Sequence, residues 1–396
     1  MSDTSIMQMK ALVLDADSSA GLETIQSLGR SGCIVDTVDL RSEYSRHRSR
    51  FIRRQIKLAS KEDEACRELV DLFRAEKYDL VVPTTEVSLL QMLSPEIPDD
   101  MYQRAVLPPR ESVQTALNKQ AVWILAQRLG VRVPSSEIVS SSSPPPQSFP
   151  VVLKPVLSKT SRSGVVRDFT VTIARDRNQW RSALGSIDSD VPVQQQQYIV
   201  GKGVGVEMLF DHGTRCWAFV HERVHELPLT GGGSSYRASL GLRDDLVQDA
   251  TLLLSALQWH GVAMVEFKVT PIGDAYLMEI NPRLWGSLAL GIDCGVNFPV
   301  GLLHLATKQP LSPQPKYRTG YFTRNISRDV EWFKANLRAD HSNPLLLTKP
   351  IISSAFEWLR PLVGNESWDF FCWSDLGVIL GELKTVAQQL WRRVSQ

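Results

Sequence analysis

The chain has 396 residues, 43% hydrophobic and 22% charged, enough to bury sizeable cores and to form two or three domains. Its net charge of +1 implies no broad basic surface for nucleic acid. Five scattered cysteines (Cys33, Cys66, Cys216, Cys294, Cys372) are odd in number and form no CxxC pair, so they suggest neither a disulfide framework nor a zinc site and fit reduced thiols. The N-terminus lacks a basic start followed by an apolar segment. No apolar run approaches the ~20 residues a membrane helix needs. The expectation is a cytoplasmic protein, with peripheral attachment to a surface left open.

In chain order, "ALVLDA" (11–16) reads as a buried strand, "AGLETIQSLGRSG" as a helix closed by Gly32, and "IVDTVD" (34–39) as a second strand. An amphipathic helix, "EDEACRELVDLFRAEKY", leads to a third strand, "DLVVPTT" (79–85). Strands alternating with helices predict a parallel α/β domain over 1–110. A dinucleotide site there is disfavoured. Its first turn is "DADSSAG" rather than GxGxxG, and Asp15 and Asp17 would sit where a pyrophosphate needs backbone N–H groups. In "PTTEVS" (83–88), Glu86 either faces a substrate or shares helix capping with Thr84 and Thr85.

From 111 the pattern changes. "ESVQTALNKQAVWILAQRLG" reads as one helix, and the Ser/Pro-rich 140–148 as an exposed loop within one domain. "FPVVLKP" (149–155), "VPVQQQQYIVG" (191–201), "GVGVEMLF" (203–210) and "RCWAFVHERVHELP" (215–228) read as strands. "LPLTGGGSSYRASLG" (227–241) reads as a loop, either a flexible connection or the substrate end of a cleft. There its glycine N–H groups could hold an oxyanion, and Arg223 and Arg237 a carboxylate. A helix, "LVQDATLLLSALQWHG", precedes two strands, "VAMVEFKV" and "AYLMEIN", joined by the turn "TPIGD". Region 111–310 is thus α+β. The stretch 311–396 is Trp-rich and ends in an amphipathic helix with Lys384, Arg392 and Arg393 on its polar side. That helix either docks on the body or meets a surface or partner.

The chemistry concentrates in the last hairpin. Residues i and i+2 of a strand share a face, so Glu279 and Asn281 project together, and the short turn brings Glu266 beside them. Two carboxylates and an amide oxygen form the all-oxygen set that Mg²⁺ prefers, whereas without a cation the two acids repel. Lys154 is fixed at a strand end before Pro155, and Lys119 lies in the first turns of a helix behind Asn118. With Arg283 these are the parts needed to hold a nucleoside triphosphate.

The order "NK…LG–VRVP", "FPVVLKP", "VQQQQYIVG", "VEFKV" and "LMEINPR" resembles the ATP-grasp superfamily, in particular its carboxylate–amine ligases and the ATP modules of carbamoyl-phosphate synthetase and biotin carboxylase. The resemblance covers 111–310 directly, and 1–110 is similar to the pre-ATP-grasp domain. It implies two α+β lobes gripping ATP. Lys119 and Lys154 would contact phosphates, and Gln197, Tyr198 and Ile199 would meet the adenine at the hinge. Glu266, Glu279 and Asn281 would hold magnesium, or manganese in its place, and Arg283 would steady the transferring phosphoryl group. The chain departs from the family in its phosphate-covering loop, where "PVLSKTSRSGVV" has only Gly164 beside Lys159 and Arg162, and at the hinge, where Gln197 replaces an acid. Glu207 is offset from the family's ribose contact.

The implied activity is ATP-dependent ligation of a small carboxylate and an amine through an acyl phosphate, Lys154 and Arg283 acting at the reacting groups. A carboxylate–thiol ligase, a kinase and a non-catalytic ATP-binding scaffold are the alternatives. A homo-oligomer is left open, and Trp285 either walls the acceptor pocket or packs in the core.

Overall fold

The computed structural model describes residues 8–40, 49–58, 62–157, 159–162, 165–168, 171–187 and 191–381. The first apolar run forms β1 (Lys10–Leu14), followed by α1 (Ser19–Arg30), whose cap Ser18 accepts from the Gly21 N–H at 2.9 Å. Then come β2 (Ile34–Val38), β3 (Ile52–Ile56), α2 (Glu62–Glu76) and β4 (Leu80–Pro83), giving a parallel sheet in the order β3-β2-β1-β4. Three of these strands are the predicted apolar runs, but β3 ("IRRQI") is not. Its arginines make it look like surface, yet both Arg53 and Arg54 bind Asp36 of β2, and Tyr78 donates to the same carboxylate at 2.6 Å. Burial raises the Asp36 carboxyl, but these three donors outweigh it and hold the group down at about 2.

α3 (Glu86–Met92) starts with a capping box between Thr85 and Ser88, and Thr84 bonds back to Leu14 O at 2.7 Å, so capping and sheet closure account for both threonines. α4 (Asp99–Arg104) follows. The single helix expected next is two, α5 (Arg110–Leu117) and α6 (Lys119–Arg128). Asn118 adopts an extended backbone between them and caps α6 by accepting from Ala121 N–H at 3.0 Å, competing with helix continuation as asparagine does.

A four-stranded antiparallel sheet, β5-β10-β6-β9, comes next. It is built from β5 (Ser136–Val139), β6 (Val151–Pro155), β9 (Thr172–Ala174) and β10 (Val193–Gln197), with the hairpin β7 (Lys159–Arg162) and β8 (Val165–Asp168) between β6 and β9 and with α7 (Arg177–Gly185) before β10. The Ser/Pro-rich loop joins two strands of this sheet, β5 and β6, both paired to β10. Gly164 and the side chains of Lys159 and Arg162 lie outside the described parts.

A seven-stranded sheet, β15-β14-β11-β12-β13-β16-β17, forms the largest layer. Its strands and helices in chain order are β11 (Lys202–Asp211), β12 (Thr214–Leu227), β13 (Gly233–Leu240), α8 (Asp244–Ala256), β14 (Gly261–Val269), β15 (Ala275–Asn281), α9 (Leu288–Cys294), α10 (Phe298–Ala306), β16 (Phe322–Arg324), α11 (Ile326–Arg338), α12 (Ile351–Phe356) and β17 (Glu366–Trp368). The stretch expected to be a loop over 227–241 is therefore corrected. Its second half is the inner strand β13, buried on both faces, with Tyr236 and Ala238 alternating with Ser235, Arg237 and Ser239. The glycine run and small polar residues hid a strand whose partners on both sides come from distant sequence.

Both faces of the sheet are covered. Val206, Met208 and Phe210 of β11 pack with Leu253 and Trp259 on one side. Leu209, Trp217 and Phe219 pack on the other with Leu284 and Phe298, in a cluster continuous with Val13, Ile25 and Val35 of the first sheet and helix. Trp332 of α11 is fully buried and stacks on His225 of β12 with ring centroids 3.4 Å apart. Asp375 then ties the tail to the first layer, taking bonds from Gln26 (3.1 Å), Ser49 (2.5 Å) and the Arg50 N–H (2.9 Å). The predicted terminal helix, with Lys384, Arg392 and Arg393, lies almost wholly outside the described residues, which end at 381. Among the described residues no single helix is long and apolar enough to cross a membrane.

Candidate functional site

A cavity of about 490 Å³ opens between the four-stranded and seven-stranded sheets. One wall comes from Val152, Lys154 and Ile173, and the other from Gly203, Met264, Glu266, Met278, Glu279 and Asn281. Residues 197–199, which connect the sheets, line one edge, and Gly231–Gly233 line another. This is the arrangement of two lobes around a cleft.

The predicted acidic cluster is assembled. Register sets Glu266 of β14 opposite Glu279 of β15, with Asn281 opposite Met264 and a bulge after Glu266. The Asn281 amide donates to Glu266 Oε1 at 3.0 Å and to Glu279 Oε1 at 3.2 Å. Burial, opposed by Arg223 and reinforced by Glu279, raises the Glu266 carboxyl. Glu279 also meets the burial penalty, but Lys119, Lys154 and Arg223 bring it below the ordinary range. The donor set fits a hard divalent cation. Two carboxylates face each other, and the amide N–H groups already sit between them where positive charge is needed.

Lys154 opposes this cluster from β6. Burial pushes its amine down to about 8, the Glu279 carboxylate acting against that shift and the nearby Lys119 with it. Lys119 is the first residue of α6, and its N–H bonds Val156 O at 3.0 Å, so the helix start is pinned beside the end of β6. Lys119 does not line the cavity but acts on Glu279 and Lys154 through its charge. Gln197 donates its N–H to Ser135 O at 2.9 Å, and Ile199 O accepts from Lys268 at 3.3 Å, with that ammonium 5.3 Å from the Tyr198 ring centre. Arg283 lines the cavity and donates to Leu284 O at 3.0 Å.

Three further charged groups stand in the wall, of which the sequence pointed only to Arg223. Arg223 pairs with Glu266 and donates to Gly232 O at 2.8 Å, rather than waiting free for a carboxylate. Glu226 accepts from the Gly232 N–H at 3.1 Å, and Lys268 completes the set. Bulges in β12 around His225 break its alternation, so its pattern could not show which side chains face the cleft. Gly203 and Gly205 make room on β11, where a Cβ would come within 2.9 Å of Arg223 Cδ and 2.3 Å of His221 Cε1. Arg237 lines the cavity too but is held bidentately by Asp369 and donates to Gly286 O at 2.8 Å. Glu207 is fully buried behind the cleft, bonded by Ser287 at 2.9 Å, and does not line it. Trp285 does both jobs, lining the cavity while packing edge-on against Phe298 at 5.1 Å.

Residues 193–328 match the family described as "ATP-grasp in the biosynthetic pathway with Ter operon". Solved structures match over most of the chain. The L-amino acid ligase of Bacillus licheniformis aligns at TM-score 0.60 and 17% identity, covering 76% of this chain and 74% of that one. N5-carboxyaminoimidazole synthetase of Staphylococcus aureus aligns at TM-score 0.62 and 14% identity, covering 83% and 86%. The fold is the ATP-grasp fold. The biotin carboxylase domain of Hydrogenobacter thermophilus 2-oxoglutarate carboxylase, solved with MgADP, ADP and bicarbonate, aligns at TM-score 0.57 and 12% identity, covering 80% and 74%. A comparison with curated protein sequences finds no match.

Proposed function

We propose that the chain is an ATP-dependent carboxylate–amine ligase. The observation that carries this reading is the convergence, inside an ATP-grasp cleft, of the Glu266–Glu279–Asn281 cluster with Lys154 and Lys119. Glu266, Glu279 and, with its amide turned over, the Asn281 oxygen would hold magnesium, which when bound would offset the negative charge of the phosphates. Lys154 and Lys119 would attract the phosphates, Lys154 from the cavity wall. The backbone at Gln197–Ile199, with the Tyr198 ring, would receive the adenine. Arg283 would stabilise the charge that develops as the γ-phosphoryl group moves to the substrate carboxylate. An amine then displaces phosphate and leaves an amide, ADP and phosphate. The walls position and stabilise charge, and no side chain need become covalently attached. Five free cysteines among the described residues support a cytoplasmic setting.

The test is product analysis with hydroxylamine as a general acceptor. Incubated with Mg-ATP and a panel of small acids, the protein should form a hydroxamate and ADP in equal amounts with its true acid. A phosphorylated alcohol as product would assign a kinase, and nucleotide binding without turnover over the panel would assign a scaffold.

A further inference from the structure

Part of the cavity wall is built from Gly231–Gly233 together with Asn325 and Arg328, at the start of α11. Two of the glycine N–H groups expected to hold an oxyanion are already used. Gly231 N–H bonds Pro228 O at 3.0 Å, and Gly232 N–H bonds the Glu226 carboxylate at 3.1 Å. The positive group beside them is Arg328. Its Nη2 reaches Leu227 O at 3.3 Å and Gly233 O at 3.4 Å, long contacts that steer the guanidinium without neutralising it. A Cβ at Gly233 would come within 3.0 Å of Nη2 and 3.3 Å of Nη1, so glycine at that position keeps the place of the guanidinium open.

The arginines of this wall differ in their partners. Arg223 is paired with Glu266, and Arg237 with Asp369. Arg328 forms no ion pair among the described residues. Burial, with Arg237 close by, pushes its guanidinium below the ordinary value, against the pull of Glu331 and Asp369. A planar cation held near other arginines, with no carboxylate of its own, is a receptor for a planar anion.

Asn325 points to the same ligand independently. It is 5% exposed and lines the cavity. Its backbone N–H bonds Ser235 O at 2.8 Å, which fixes it to β13. Its Oδ1 accepts from the Arg328 N–H and from Ser327 Oγ, both at 3.1 Å, so the amide orientation is set by two donors. That orientation leaves the amide N–H groups without a partner among the described residues, and a buried donor left unmade is costly. The N-terminus of α11, which Asn325 caps, adds positive potential at the same place.

We propose that Arg328 and the Asn325 amide hold a carboxylate that does not react, carried by the acid or by the amine that the cleft joins. One substrate is then a diacid or an amino acid. What the cleft joins rests on the ligase reading, whereas binding of the carboxylate needs no turnover. Arg328 is exposed on its outer side, so the ligand can enter from solvent.

The experiment is calorimetric titration of the full chain, with magnesium and a non-hydrolysable ATP analogue present, using matched probes with and without the extra carboxylate. The pairs are succinate and butyrate, glutarate and pentanoate, L-alanine and L-alaninamide, and L-phenylalanine and L-phenylalaninamide. In at least one pair the member with the extra carboxylate should bind at least about 10-fold more tightly, and the pair that responds says whether the acid or the amine carries it. Arg328→Gln, which keeps an N–H donor but not the charge, should cut that preference to within about twofold. Asn325→Asp, which still caps α11 but loses the N–H groups, should do the same. No preference in any pair, or a preference that survives both substitutions, would overturn the assignment. Hydroxamate formation by the wild type tests the ligase reading separately. If the preference is present and turnover is absent, that reading falls and the carboxylate receptor stands.

Discussion

Replacing Glu279 with Gln keeps the shape of the acidic cluster and removes one of its two negative charges. In the structure burial opposes that charge while Lys119, Lys154 and Arg223 favour it, and the charge in turn raises Glu266 and supports the charged form of Lys154. A unit charge pair at 4 Å with an effective dielectric of 20 is worth about 4 kcal/mol. The retained amide oxygen recovers part of that, leaving a loss of about 2 kcal/mol, or roughly 30-fold in magnesium affinity. The magnesium concentration giving half-maximal ADP release should rise by about that factor. Binding of metal-free ATP should change less, because the lysines remain. Titration calorimetry of Mg-ATP and of ATP with chelator separates the two effects, with circular dichroism to confirm folding. A variant whose magnesium dependence stays within about twofold of wild type would refute the placement of the metal between Glu266 and Glu279.

Glu23 on α1 makes a stability prediction with a definite sign. Burial, with Asp369 and Asp293 nearby, raises its carboxyl to about 8 in the fold. Its stabilising contribution is full below about pH 4.5, where the unfolded chain is also protonated, and is lost as pH rises toward 8. Glu23→Gln, still able to accept the Phe370 N–H, should flatten that dependence and raise stability at pH 8 by roughly 2–5 kcal/mol while leaving pH 4 unchanged, as read by urea unfolding at the two pH values. Trp332→Ala should cost about 3–5 kcal/mol, since it empties a fully buried site and strips the stacking partner from His225; a loss below about 1 kcal/mol in the same assay would contradict the packing described.

Much of the site was legible because its residues lie within a few positions of one another. Glu279 and Asn281 share a strand face by the period of two, and a five-residue turn keeps Glu266 within reach, so the sequence alone determined the cluster. Asn118 and Pro155 likewise fixed where Lys119 and Lys154 sit along their elements. Alternating apolar runs determined the parallel first sheet, apart from β3, and most strands of the other two. What only the tertiary structure decided involves partners far apart in the chain. β3 is a strand because its arginines find Asp36, and β13 is one because β12 and β16 take both its edges. Arg223 and Glu226 reach the cleft beside Lys268 of β14 because β12 bulges and because Gly203 leaves space above β11. Arg237 looks like a free anion receptor in sequence, but a carboxylate 132 residues away neutralises it. Local periodicity says which way a side chain points, and only the folded chain says which charge it meets.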